Sequence, residues 1–481
     1  MKRFWLVLLS LGLVLAFSAS AMAVDVKFSG SFYAAGMYLD KTGFNKEPAQ
    51  YVAAINADSV GGTLLPYGTS YAYYHYATHN PGNSTAFYYQ RLRVGTEFIV
   101  SPGLKLVTRF DAMERIWGGA RSAPGITGDM ASSGTRAENE NIAFDLAYIS
   151  YTSPIGMFNV GYQDDGAWGT QFADSTVPLA KISWYGQFGP VTTIAYLAKF
   201  KDQSYSAVAA STATDRDIDM YAAAAVYSFK GGSAGLLGKY YRSALPRSAT
   251  YGEFVQNVVV LVPYAKAQIG PVFVQAEVLY GFGDYQKYDG VGTNSTLSNW
   301  AGWVDATVDL GMFYFGGSLA YIAGDDPATT DKKEGGFITG GTDWNPCLIM
   351  FNFDRYYWAG QIPGYGQTMN PNNTDNPYLA SNNGGMTNAW FGSGRVGVRP
   401  IAPLDIMASL SYAQADQKPT GFLNNAYGWE IDVTGTYKIT NNLSYMLGVG
   451  YLFTGDYYKG TSDANAIQND YMLINKLTLT F

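Results

Sequence analysis

Residues Tyr89 to Phe98 read YQRLRVGTEF and alternate strictly: Leu92, Val94 and Phe98 share one parity, while Arg91, Arg93 and Glu97 share the other. A period of two belongs to a strand whose faces meet different surroundings. The same division recurs from Leu104 to Phe110, with Leu104, Leu106 and Phe110 set against Lys105 and Arg109. From Ala180 to Phe188 it sets Ile182, Trp184 and Phe188 against Lys181, Ser183 and Gln187. Charge is confined to one face, which a strand in contact with lipid requires, since a charge on the lipid face near mid-membrane costs roughly 2 to 4 kcal/mol.

Tight turns punctuate the alternating segments at Ser101-Pro102-Gly103, Ser153-Pro154-Ile155-Gly156, Phe188-Gly189-Pro190, Lys230-Gly231-Gly232, Ile269-Gly270-Pro271, Ala402-Pro403 and Thr440-Asn441-Asn442. These breaker residues suit short connections. At every second connection the link is long and polar: 40 to 85, 116 to 140, 164 to 178, 201 to 216, 243 to 255, 284 to 298, 323 to 388, 416 to 426 and 456 to 468. Strand centres fall near Ser31, Val94, Phe110, Leu146, Val160, Ser183, Ala195, Ala224, Gly238, Pro263, Ala276, Asp305, Gly317, Val396, Ala408, Val433, Gly448 and Leu477. This predicts about eighteen strands, with sixteen as the alternative if one weak hairpin is absent.

No uninterrupted apolar run of about eighteen residues follows the first segment, although 47% of the chain is hydrophobic. A membrane-spanning part must therefore be built from strands. Aromatic residues make up 16%, with 39 Tyr and 55 Gly, while only 14% are charged. That is too little charge for an ordinary water-soluble surface. It suits a transmembrane antiparallel β-barrel of the all-β class, with aromatic girdles, short periplasmic turns and long extracellular loops. The final strand, ending INKLTLTF at Phe481, would then pair with the segment from Val26 to Leu39, so that no edge stays open within lipid.

Met1 to Ala23 reads as a cleaved signal peptide, with Lys2 and Arg3 ahead of an apolar run and Ala21-Met22-Ala23 as the cleavage motif. Residues 24–481 then form a single barrel domain. Val24 rather than a cysteine stands directly after the cleavage point, which argues against a lipoprotein, and the lone Cys347 forms no internal disulfide. Removing Lys2 and Arg3 takes the formal charge from -7 to -9, because that segment holds no acid. So acidic a chain is not a nucleic-acid binder.

With these patterns the chain resembles the Gram-negative outer-membrane porins of the general-diffusion type. The resemblance is architectural and spans essentially all of residues 24–481. Its most specific part is the third long link, where DDGAWGTQFADSTVP follows FNVGYQ much as the porin constriction loop follows the fifth strand and folds into the pore. The resemblance implies a homotrimer in outer-membrane lipid, passing small hydrophilic solutes or ions. It also implies that the terminal Phe481, with Leu477 and Leu479 at alternate positions, is read by the barrel assembly machinery.

A diffusion channel needs a wet lumen with a charged narrow section rather than a reaction centre. The expected basic wall is Arg91, Arg93, Lys105, Arg109 and Lys181, opposed by Asp164, Asp165 and Asp174 on an infolded loop 164–178. Tyr71, Tyr73, Tyr74 and Tyr76 in the first long link could form an aromatic mouth offering stacking surface, or could pack within the loop or between subunits. His75 and His79 are spaced as a metal pair on one helical face would need, but no acidic residue is close in sequence. No metal or cofactor is therefore expected. Link 323–388 is too long for a passive connection, and its core GGTDWNPCLIMFNFDRYYW is strongly apolar. It must plug the vestibule, pack inside the barrel or seal a neighbour. Cys347 beside Pro346 reads as a small buried apolar residue.

Two other classes compete. Catalysis of the barrel lipase or protease kind commonly needs a histidine beside a nucleophile, and the chain has only His75 and His79 and no G-x-S-x-G. A solute-selective channel, or a structural barrel whose loops bind a surface partner, would share every feature above. Conductance separates the structural barrel from the channels, and saturable uptake separates the two kinds of channel.

Overall fold

The computed structural model describes residues 24–41, 43–44, 46, 84–118, 142–202, 215–247, 254–359 and 385–481. The signal segment, the four tyrosines and the two histidines of the first link lie outside them.

The chain forms β1 (Asp25–Leu39), β2 (Thr85–Ser101), β3 (Leu104–Ile116), β4 (Ile142–Ser153), β5 (Gly156–Asp165), β6 (Val177–Phe188), β7 (Val191–Lys201), β8 (Ile218–Phe229) and β9 (Gly232–Ser243). It continues with β10 (Phe254–Ile269), β11 (Val272–Tyr288), β12 (Ser295–Asp309), β13 (Phe313–Ile322), a two-residue strand β14 (Lys332–Lys333), and a short helix α1 (Phe353–Ala359). The last strands are β15 (Ala389–Ile401), β16 (Leu404–Ala415), β17 (Ala426–Lys438), β18 (Leu443–Thr454) and β19 (Asp470–Thr480). All except β14 are barrel strands, so the barrel has eighteen. Each pairs antiparallel with its neighbours, and β14 lies parallel to β12. Every strand centre expected from the sequence falls within a barrel strand. The link expected at 284–298 is shorter than anticipated: β11 and β12 extend into it and leave only 289–294.

Closure comes from β1 pairing with β19, in register from Ser31 opposite Thr480 to Leu39 opposite Met472. Phe481 donates its backbone N–H to the Gly30 carbonyl at 3.0 Å, and Gly30 donates back to Phe481 at 2.9 Å. In a sheet whose backbone groups cannot turn to water, this seam leaves no free edge.

The parity reading holds around the wall. Ile182, Phe188, Leu236, Trp300, Phe315, Leu319, Trp390, Trp429, Ile431 and Leu477 are exposed on the outside, forming a greasy belt. The interleaved positions, including Lys181, Ser183, Asn299, Asp305, Ser411, Glu430 and Asp432, are buried within the cylinder.

The lumen is partly filled. Two segments leave the long-link end and fold inward: an inner loop, residues 166–176, and a strap, residues 335–359. The apolar core of the long link thus packs inside the barrel, the second of the three fates its composition allowed. Strap residues Ile338, Trp344, Ile349, Met350, Phe351 and Trp358 join one hydrophobic cluster with inward residues of β1, β10, β12, β13, β15 and β19.

Candidate functional site

The inner surface of β2 to β5 carries ions from adjacent strands. Arg93 donates Nε and Nη2 to the two oxygens of Asp111 at 2.7 and 2.6 Å, the parallel pairing that a planar guanidinium favours. Arg109 is shared: Nη2 donates to Asp145 Oδ2 at 2.6 Å, and Nη1 and Nη2 donate to Asp164 at 2.6 and 2.8 Å. Arg93 also lies 3.6 Å from Asp145, so these residues form one chain of alternating charge. Lys105 pairs with Glu97 at 2.6 Å. Arg91 pairs with Glu114 at 3.4 Å, with its guanidinium over the Tyr33 ring. Arg93, Lys105, Glu97 and Asp164 keep side-chain exposures of 30%, 36%, 37% and 36%, so this wall is wet.

Lys181 stands apart from that chain. It is buried and donates to the Asp164 carbonyl at 2.7 Å and to Asp165 at 3.2 Å, beneath the Tyr196 ring. Lys239 of β9, which the sequence did not single out, reaches the other Asp165 oxygen at 3.3 Å. The two lysines hold the Asp165 carboxylate between them.

The acidic residues are distributed differently from the expectation. Asp164 and Asp165 end strand β5 rather than sitting on the loop, which begins at Gly166. Five bases and two acids are thus neighbours on one wall and pair locally. Asp174 alone lies in the loop, and it is buried at the junction with the strap. Its Oδ1 accepts the Trp168 N–H at 2.8 Å, and its carbonyl accepts from Thr342 and Asp343 at 2.8 and 3.0 Å. Burial raises the Asp174 carboxyl to about 7. Gly341 sits opposite with φ of 77°, and a Cβ there would collide with the Asp174 carbonyl.

The inner loop crosses to the wall of β10 and β11. Trp168 donates its indole N–H to the Val262 carbonyl at 2.9 Å, Thr170 donates N–H and Oγ1 to Glu277 at 3.1 and 2.7 Å, and Lys266 donates to the Gly169 carbonyl at 2.9 Å. Phe172 then lies parallel to Trp303 at 5.9 Å and edge-on to Trp344 of the strap at 5.2 Å. Neither Glu277 nor Lys266 was expected at this site. An inward carboxylate on β11 without a basic cross-strand partner was the available signal.

From that junction the strap runs over β15 to β18. Trp344 and Phe351 pack edge-on against Phe391 at 5.6 and 5.7 Å. Glu430 of β17 accepts the Ile349 and Met350 N–H groups at 2.6 and 2.7 Å, and Asp432 accepts the Leu348 N–H at 3.4 Å. Cys347 packs at this place, its thiol pushed up by burial, as a small apolar residue would. Cys347, Glu430 and Asp432 place possible ligand atoms within 4.8 Å of one another, but both Glu430 oxygens already hold strap amides. Helix α1 ends the described part of the strap, with Trp358 stacked on Tyr89 at 4.4 Å.

No protein-family model matches the chain, and no curated protein matches it in sequence. Its structural neighbours are Gram-negative outer-membrane porins. They include an anion-selective porin from Comamonas acidovorans, at 10% identity and a TM-score of 0.44 over 95% of this chain and 99% of that one. Acinetobacter baumannii OccAB1 aligns at 11% identity and 0.49 over 95% and 97%, and Pseudomonas aeruginosa OccK9 (OpdG) at 12% and 0.49 over 95% and 99%.

Proposed function

We propose that this chain is an outer-membrane porin, through which small hydrophilic solutes or ions diffuse passively along the ionic wall of β2 to β5. The observation that carries this reading is a closed cylinder with an apolar exterior and, inside, a partly exposed row of paired charges. Lipid on one side and water on the other is the surrounding such a wall fits. Because the acids stand beside the bases rather than across the lumen, solutes meet alternating sign along their route instead of one transverse field. A homotrimer, export by the Met1–Ala23 signal and reading of Phe481 by the assembly machinery belong to the same proposal.

The test is conductance. Purified protein in planar bilayers should give ohmic, water-filled channels, and a silent bilayer would favour a structural or partner-binding barrel. The narrowing of the lumen by inner loop and strap also favours a solute-selective channel, for which uptake should saturate and be blocked by its own solute.

A further inference from the structure

We propose that Glu430 sets the width of this channel by clasping the strap to the barrel wall, so that releasing one carboxylate opens a wider path. This rests on the diffusion reading above and deepens it.

The strap crosses the lumen as irregular backbone, whose N–H groups must find acceptors. Three successive ones, on Leu348, Ile349 and Met350, turn toward the same wall and meet Asp432 and the two oxygens of Glu430. Consecutive amides converging on a carboxylate form an anion-holding nest. Glu430 is 0% exposed, and both contacts are short. The Asp432 carboxyl beside it is its side-chain hydrogen-bonding neighbour, and no basic residue lies opposite either acid on the adjacent strands. On its own strand Asp432 is inward, on β16 Ser409 and Ser411 lie opposite these two acids, and on β18 Gly450 and Leu452 do. Cys347 comes from the strap itself. The two strap amides are the backbone donors that Glu430 meets, and through them Glu430 ties the middle of the strap to β17.

The remaining strap contacts include apolar packing along its length: Trp344 against Phe172 and Phe391, Ile349, Met350 and Phe351 in the hydrophobic cluster with Phe351 edge-on to Phe391 and Tyr427, and Trp358 on Tyr89. With the clasp removed, this stretch loses its Glu430 hydrogen bonds and keeps only weaker ties to the wall, chiefly apolar packing, so it can move from β17 while the barrel ladder stays intact. Glu430 is a positioning residue here, acting on solutes through the strap.

Wild type, Glu430→Ala and Ile349→Pro should be compared in planar bilayers, with neutral polyethylene glycols of graded size as probes. Ile349→Pro deletes one clasp donor without touching a barrel strand, so it tests the clasp even if Glu430→Ala fails to fold. Both variants should raise the single-channel conductance by about twofold or more and admit larger polymers. Adding Ser411→Cys to Glu430→Ala puts a second thiol beside Cys347. Oxidation of that double variant should restore the narrow state and reduction should reverse it. A conducting wild type with both variants unchanged in conductance and size limit would overturn the clasp alone. A wild type that conducts nothing would overturn the diffusion reading and this inference with it.

Discussion

The two halves of the inner wall solve the same problem by opposite chemistry. From β2 to β5 the inward side chains are ions, paired to neighbours on adjacent strands and still partly wet. From β10 round to β1 they are largely apolar or aromatic, among them Val258, Val260, Trp303, Phe391, Met472 and Met37, and they are covered by the inner loop and strap. The first half leaves room for water and the second excludes it. A pore can thus be set off-centre, with its floor built like a protein core and its opposite side like a solvated surface. Among the carboxylates in the covered half, Glu277, Glu430 and Asp432 hold the covering segments, while Asp305 pairs with Arg395.

The strongest challenge to this division is Trp344→Ala, which removes the ring touching Phe172, Trp303 and Phe391. We expect a loss of about 3 to 5 kcal/mol from the covered half. Denaturant unfolding in detergent would measure it, and a loss below about 1 kcal/mol would show that the strap is not part of the core.

On the wet half, Arg109→Gln strands Asp164 and leaves Asp145 with Arg93 alone. The cost should be about 1 to 3 kcal/mol, and the reversal potential under a salt gradient should move toward cations. Replacing Arg91 and Arg93 as well should move it further without unfolding the barrel. An unchanged potential would mean that solutes do not pass this wall.

The smallest effect belongs to the junction between inner loop and strap. Because burial raises the Asp174 carboxyl to about 7, the folded form holds its proton where the unfolded chain has lost it. That contribution is fully present below the ordinary carboxylate value and is lost as pH rises through about 7. Channel currents should therefore be quieter at acid than at alkaline pH, and Asp174→Asn should remove the difference. Equal noise in both proteins at both pH values would take Asp174 out of the junction.

The barrel was legible because its rule is local: two-residue alternation and breaker turns need no knowledge of distant partners, and the seven turns flank fourteen of the eighteen strands. The inward direction of Arg91, Arg93, Lys105, Arg109 and Lys181 followed from the same rule. Their partners did not, since Arg109 meets acids 36 and 55 residues away, and the strap meets Glu430 across 80 and 81. Parity says which way a side chain points and nothing about what arrives from a long link. The inward pair Glu430 and Asp432, set among serines rather than bases, was, like Glu277, a local hint that donors had to come from elsewhere.

The joint between β1 and β19 also dictates an order of events. Its partners are the first and last of the described barrel strands, so until β19 meets β1 the sheet has two raw margins and no cylinder. Such ribbons adhere to one another, and sealing them means bringing together ends separated by nearly the whole polypeptide, which is slow. The cell must then shelter this protein until β19 meets β1, and removing strand residues Leu477 to Thr480 should harm maturation more than an equal cut in any turn.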